Sequence, residues 1–508
     1  MDKLDKINKT IMIMGVGCIT ASSMLQAEEQ SSLPTVPPAY EWGDQASLPP
    51  VGYVFPKLSY KIPYDLGSLQ QGGAPHKGSP GNELAQFQKQ FDMFSWATFI
   101  GLNWPADNEG KPLTSVKIGS CNSATRVWEH YMAPQDFFKK NGEAPNPWGQ
   151  PQQELKDLPF ISKDPHVLNE LDEAFFNLET PMPSITDLNN EYVRFEVRFN
   201  KVEYDYMLPF HTKEKQASFV KAGGKFDFPE GKAAAKGQPG NEGAMELKVA
   251  WKKIGPGDDP NKFYTITASY EDSSMPNGGK RGHGLYGMVG MHIAVRTESA
   301  PQWVWATFEH VDNAPKVSIP FGDNKKEVDG LGKKYSFWNE EGKDSITGFD
   351  QSVYEGLVEL GNKRAKAEPS ESGNYFQEKK NRQPSQIAQV ITENNSVVDS
   401  EWTKSLNAYM HEQLKGTIWE NYRLVSTQWP SVPDAPIPTG YNVKLGVPAP
   451  VSLGNAVLET YLQVNGSCMG CHAGATTNLN GVDKQSPTNF SFMLQRATSI
   501  ETNPIKTK

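Results

Sequence analysis

Between residues 240 and 312 the chain carries four successive runs in which apolar side chains recur with a period near two, and few folds accommodate such a series. Ala244 to Trp251 alternates cleanly, and Phe263 to Tyr270 does so in part. Met288 to Arg296 is more continuously apolar and contains His292, and Gln302 to His310 closes the set. A period of two sends alternate side chains to opposite faces of a strand. Loops of Gly, Pro, Asp and Asn separate the runs, so consecutive strands turn back on one another. An antiparallel sheet is expected at about 240–312.

Helical patterns flank it, which makes the expected fold class α+β. Leu84, Phe87, Phe91, Phe94 and Thr98 recur every three or four residues, and Gly101 and Pro105 should end that helix. Asn103 and Trp104 are expected to pack against its end. Further helices are expected at Ala124–Tyr131 and 166–179. Tyr192–Leu208 fits either a strand (Val193, Phe195, Val197, Phe199) or a helix. Its length without a turn signal favours a helix. Trp402, Leu406, Met410, Leu414 and Ile418 fall at four-residue steps behind a cap at Asp399 or Ser400. Beyond prolines 430 to 450, a helix from about Gly454 to Val464 and a last short one bearing Phe490, Met493, Leu494 and Ala497 make a mainly helical C-terminal segment.

The chain divides by composition. Residues 1–27 read as a secretory signal: Lys3, Lys6 and Lys9, an apolar stretch from Ile11 to Ala21, and Leu25-Gln26-Ala27 before the expected cut. That stretch is too short for a membrane anchor. Gly15-Val16-Gly17-Cys18 is a poor match to a lipoprotein acylation site. Residues 28–80, rich in Pro, Gly and Ser, suit an extended arm. A body follows at 81–429, with a polar, lysine-rich insertion at about 313–385. Residues 430–508 hold the Pro-rich connector and a cofactor segment. No later stretch has the apolar length of a transmembrane span, so the mature chain is expected to be soluble. Export places it in the periplasm, with outer-membrane association or secretion left open. The formal charge is −9 and no basic stripe carries interleaved aromatics, which excludes a nucleic-acid partner.

Cys468-Met469-Gly470-Cys471-His472 is the motif that carries chemistry. Two thiols so spaced can add to the two vinyl groups of a haem, and the adjacent histidine can then ligate the iron. Among four cysteines and nine histidines in the whole chain, chance seldom places three of them this way. Without the histidine, a redox dithiol or half a zinc site would compete equally. The expected cofactor is one covalently attached haem c, held by Cys468 and Cys471, with His472 on the iron through Nε2 and its other ring nitrogen bonded to a carbonyl. Cys121 then has no partner and is expected to be a buried thiol.

The group opposite His472 decides the chemistry. Met493, twenty-one residues on, is the downstream candidate for the second iron ligand, although methionine on an apolar face is ordinary core. The upstream candidates are His411, His310 and His292. Met410 lies within the core stripe of its helix, His411 is one position off it, and His292 reads as a satisfied core histidine. Glu309 and His310 are adjacent on a strand and should face opposite ways. Hydrolase, zinc-protease, phosphate-loop and dinucleotide motifs do not occur.

The haem motif resembles that of c-type cytochromes over Cys468 to His472. More of the chain resembles large exported bacterial proteins of the cytochrome c family with one C-terminal Cys-x-x-Cys-His. The similar stretches are Phe94-Ser95-Trp96 through Asn103-Trp104-Pro105, Trp303 to Asn313, and Leu458-Glu459-Thr460-Tyr461. The resemblance implies an exported monohaem protein and supplies no substrate. Electron transfer with a protein redox partner is the leading expectation. A haem enzyme of peroxidase or oxygenase type, or a small-ligand sensor with an open iron position, is the alternative.

Overall fold

A computed structural model of the chain describes residues 57–66, 81–120, 123–149, 156–157, 185–234, 238–271, 281–319, 327–329, 333–339, 384–392, 400–431, 448–460, 463, 466–479 and 486–500. The signal segment, most of the 28–80 arm, Cys121 and the expected helix at 166–179 lie outside them.

The expected central sheet is present and wider than the sequence suggested. Its strands are β1 (Arg194–Phe199), β2 (Met245–Lys253), β3 (Thr265–Glu271), β4 (Arg281–Thr297), β5 (Ala300–His310) and β6 (Tyr422–Pro430). They pair antiparallel in the order β1-β2-β4-β5-β6. The long β4 also takes β3 along its first half. Two-residue strands, Lys156–Asp157 and Pro448–Ala449, extend β3 and β6.

Among the described residues, besides a single helical turn at Pro134–Phe137, five helices accompany the sheet: α1 (Gly81–Leu102), α2 (Lys201–Met207), α3 (Lys213–Lys221), α4 (Glu401–Gln413) and α5 (Cys468–His472). One sheet face, with Leu247, Met291, Ile293 and Phe308, shares an apolar core with Phe94 and Phe99 of α1 and Leu406 and Met410 of α4. Phe99 stacks on Phe308 at 4.2 Å, and Trp96 meets the same ring edge-on at 5.1 Å. Each such buried ring contributes about 1.5–3 kcal/mol. The Ser400 hydroxyl caps α4 by accepting from the Thr403 amide at 3.1 Å. Gly101 lets the extended segment 57–66 cross α1, since a Cβ there would lie 2.7 Å from Ile62 Cγ1. The opposite face, with Val197, Phe199, Ala294 and Trp305, packs against Met469, Phe490, Met493 and Leu494. The layers are therefore helices, sheet and C-terminal segment.

Three expectations are corrected. Tyr192–Leu208 holds a strand and then a helix, β1 and α2, rather than one helix. The break is Asn200, whose Oδ1 accepts from the Glu203 amide at 3.1 Å as an N-cap. Ala124–Tyr131 contains only a 3-10 turn, Val127–His130. The C-terminal segment is not mainly helical. Its described residues hold the five-residue α5 and a 3-10 turn, Met493–Arg496, while 454–460 are loop, turns and a bend. There the Asn455 side chain takes the Val457 amide at 2.9 Å, an alternative to helix for the local backbone.

In the 313–385 insertion, Lys316–Ile319 and Glu327–Asp329 form a small sheet with Gln389–Thr392. Of its described residues, Phe337 and Trp338 are fully buried. Among the described residues no helix is long and apolar enough to cross a membrane.

Candidate functional site

The motif residues form α5, which is tied to the sheet by one side chain. Gln428 on β6 accepts from the Met469 amide at 2.8 Å and from the Ser467 hydroxyl at 3.2 Å, while its own amide donates to the Pro450 carbonyl at 2.7 Å. The Ser467 hydroxyl caps the turn by accepting from the Gly470 amide at 3.1 Å. Met469, a spacer in the motif, is fully buried and anchors the turn in the apolar layer.

This turn sets the His472 ring against Trp305 of β5, with centroids 4.4 Å apart, and against Phe492 at 5.1 Å. His472 Nδ1 lies 2.7 Å from the carbonyl oxygen of Phe490. A carbonyl can only accept, so Nδ1 carries a proton, which assigns any ligating role of the ring to Nε2. Asn489 and Phe490 both have left-handed backbone, with φ of 53° and 68°. Such strain is held only where the surroundings impose it.

Cys468, Cys471 and His472 border one cleft that is partly open to solvent. Met493 lines it too, 3 % exposed and packed in the same apolar cluster as Trp303 and Leu494, the surroundings of a core methionine. The sheet contributes Glu246 and Lys248 from β2, His292 from β4 and Trp305 from β5. His292 is therefore at the cleft wall rather than a core histidine. Its neighbours across the strands are Lys248 and Thr307, and its Nε2 lies 3.2 Å from Glu459 Oε2. That is ion-pair distance, although the approach lies off the line of a well-formed hydrogen bond. Burial alone would raise the Glu459 pKa. The His292 charge and contact, the Asn455 amide and Lys248 outweigh it, and the carboxyl sits below its ordinary value.

Two further groups shape the electrostatics. Glu203 of α2 is fully buried beside Glu246. Burial first, and then the Glu246 charge, push the Glu203 carboxyl well above its usual range. Both motif cysteines are free thiols. Burial, and behind it the Glu459 charge, raise their pKa values, Cys468 well above the ordinary thiol value.

The other candidates lie elsewhere. His411 Nε2 bonds the Tyr422 carbonyl at 2.8 Å, and Met410 is fully buried in the helix-side core. His310 has both ring nitrogens engaged, Nε2 with the Lys262 carbonyl at 2.9 Å and Nδ1 with the Asp312 amide at 3.1 Å. It stacks on Phe263, and burial lowers its pKa to about 4. Glu309 pairs with Arg423 at 2.6 Å. Among the described residues no group of three or more His, Cys, Asp or Glu side chains is placed to hold a metal ion, so a closed zinc site gains no support.

Sequence reasoning missed Glu459, Lys248, Gln428 and Trp305. The signal for Lys248 was present, since clean alternation in β2 puts Glu246 and Lys248 on one face. Glu459 lies in a turn with no periodicity to expose it. Comparisons with family models, curated proteins and solved structures return no match to this chain.

Proposed function

We propose that the cleft holds haem c, bonded through thioethers to Cys468 and Cys471 with His472 on the iron, in an exported redox protein that exchanges electrons with a protein partner. The observation that carries this reading is the His472–Phe490 contact. It assigns any ligating role to Nε2, on the same turn as the two motif thiols and at the edge of one cleft. Bound there, the group would supply a one-electron iron couple.

The chain's own residues prepare the place. The Phe490 carbonyl holds the Nδ1 proton and raises the basicity of Nε2. Trp305 and Phe492 restrict the ring. Gln428 fixes the turn that bears both thiols. The open side of the cleft is where a redox partner can approach. Thiol–disulfide exchange is the weaker reading. Reactive dithiols need a lowered thiol pKa, whereas burial and Glu459 raise both here. The resemblance to exported cytochrome c family proteins and the signal-like first residues point the same way.

The test is expression in a bacterial periplasm able to attach haem c. A haem-staining band that survives denaturation, with a pyridine haemochrome spectrum of saturated vinyl groups, is expected. Purified full-length mature protein without that absorbance sinks the assignment.

A further inference from the structure

We infer that Asp227 is a positioning residue for His472: anchored by Arg296, it fixes the Asn489 amide, and through that turn the carbonyl that accepts the His472 Nδ1–H. The consequence for an iron ligand rests on the haem c reading.

Residues 488–491 form a turn that the local sequence only half suits. The Ser491 amide donates to the Thr488 carbonyl at 3.1 Å, and both central residues, Asn489 and Phe490, are left-handed. Two successive positive φ values mark a type I′ turn, whose usual occupants are Asn, Asp and Gly. Asn489 fits its place. Phe490 does not, because a bulky side chain at positive φ is strained. The turn therefore relies on bonds from outside it.

Two side chains supply them, one at each end of the Asn489 amide. Trp303 Nε1 donates to its Oδ1 at 3.1 Å, and its Nδ2 donates to Asp227 Oδ1 at 3.3 Å. With oxygen and nitrogen both engaged, the amide has one orientation.

Asp227 is anchored in turn. Arg296 Nη1 lies 2.7 Å from the same Oδ1, and the Asp227 amide donates to the Tyr206 hydroxyl at 2.6 Å. The guanidinium cannot swing away. Its Nε donates to the Pro301 carbonyl at 3.2 Å, Nη1 also reaches the Phe228 carbonyl, and Nη2 donates to Glu230 Oε1 at 3.0 Å. The Arg296 side chain is 3 % exposed and that of Asp227 61 %. An ion pair with so exposed a partner adds little stability by itself. Here it joins a buried arginine of β4 to the strained turn.

The far end of the turn meets the motif. The Phe490 carbonyl lies 2.7 Å from His472 Nδ1. A bond of this kind fixes the tautomer and raises the basicity of the other ring nitrogen, so a displaced carbonyl makes a weaker ligand. Asp227 is not among the residues lining the cleft, and it acts through Asn489.

The experiment compares Asp227→Ala with Asp227→Asn in the full-length mature chain. Asparagine removes the charge and keeps an oxygen that can accept from Asn489, whereas alanine removes both. In the haem-free chain with its thiols kept reduced, ring-nitrogen NMR shifts read the His472 tautomer. Wild type and Asp227→Asn are expected to hold the Nδ1–H form alone, and Asp227→Ala to populate both forms. In haem-loaded protein the reduction potential of Asp227→Ala is expected to rise, and that of Asp227→Asn to stay near wild type. Mixed tautomers in wild type, or a single one in Asp227→Ala, overturn the inference. So does a potential that rises equally in both variants, because the exposed charge then acts directly. Haem that fails to attach overturns the haem c reading instead and leaves the tautomer measurement to decide the role of Asp227.

Discussion

The indole N–H of Trp303 donates to Asn489 twice, to its carbonyl at 2.9 Å and to its Oδ1 at 3.1 Å. Trp303 is itself left-handed, with φ of 68°, and fully buried. The two residues clamp the strained turn whose next carbonyl, that of Phe490, meets His472. The orientation of the histidine is therefore set from β5, through a tryptophan that never touches the motif cysteines in sequence.

Asn489 is the residue through which this clamp can be loosened. Asparagine tolerates left-handed backbone, whereas a β-branched residue there is an outlier. Asn489→Gly keeps the backbone and loses two side-chain bonds, from Trp303 and to Asp227, a cost of about 1–2 kcal/mol. Asn489→Val adds strain and is expected to cost about 2–3 kcal/mol. Denaturant unfolding of the three proteins measures the order. Equal midpoints for the two variants would show that the turn is not strained.

Single substitutions of the thiols separate attachment from packing. Cys468→Ala and Cys471→Ala should each leave one thioether, with weaker haem staining on a denaturing gel and a haemochrome spectrum moved toward that of one free vinyl group. Met493→Ala removes a buried side chain and should cost about 2–5 kcal/mol. As a core residue alone, Met493 would leave the carbon monoxide rate of the haem-loaded, reduced protein unchanged on substitution. A rise in that rate would identify Met493 as the ligand.

The sheet was legible because its strands keep a period near two, cleanly in Ala244 to Trp251 and in part in Phe263 to Tyr270, while Met288 to Arg296, covered on both faces, is more continuously apolar. Where two elements share one run the period misleads. Val193 to Phe199 and Val202 to Met207 read as one helix until Asn200 is seen as a cap. The C-terminal segment was legible only in its motif. Its order comes from side chains bonding distant backbone, Asn455 to Phe308 and Gln428 to Met469, and such contacts have no local pattern. His292 shows the same limit. Its apolar strand suggested core, and only the register opposite Lys248 and Thr307 puts it on the cleft face.

Gly290 tests whether the loop carrying Glu459 is held by the sheet. A Cβ at this position would lie 2.9 Å from Val457 Cγ2 and 3.2 Å from Leu458 Cδ1, and Gly290 pairs with Glu309, whose Oε2 accepts from the Ala456 amide at 3.3 Å. Gly290→Val should push this loop off the strand and cost about 1–3 kcal/mol by overpacking. Limited proteolysis should then cut near 453–460 sooner than in wild type. An unchanged cleavage pattern and midpoint would mean that the loop yields without loss.

The helix layer carries a pH dependence of its own. Asp92 of α1 is fully buried and accepts from Gln88 Nε2 at 3.0 Å and from Thr403 Oγ1 at 3.1 Å. Burial outweighs these bonds and raises its pKa from the ordinary 3.8 to about 7. The folded state therefore holds a proton that the unfolded chain releases first. Its stabilising effect is complete below 3.8 and is lost as pH rises toward about 7, with a slope of up to about 1.4 kcal/mol per pH unit. His310 acts in the opposite sense. With its pKa lowered from 6.5 to about 4, it costs stability as pH falls through that window. Other groups titrate in the same window, Asp65 among them with its pKa raised by burial to about 6, so the difference between proteins is the informative quantity. Asp92→Asn cannot ionise, so its stability relative to wild type should rise steadily from about pH 4 to about pH 7 in denaturant unfolding. A difference that stays constant over that range would show that Asp92 ionises as readily in the fold as outside it.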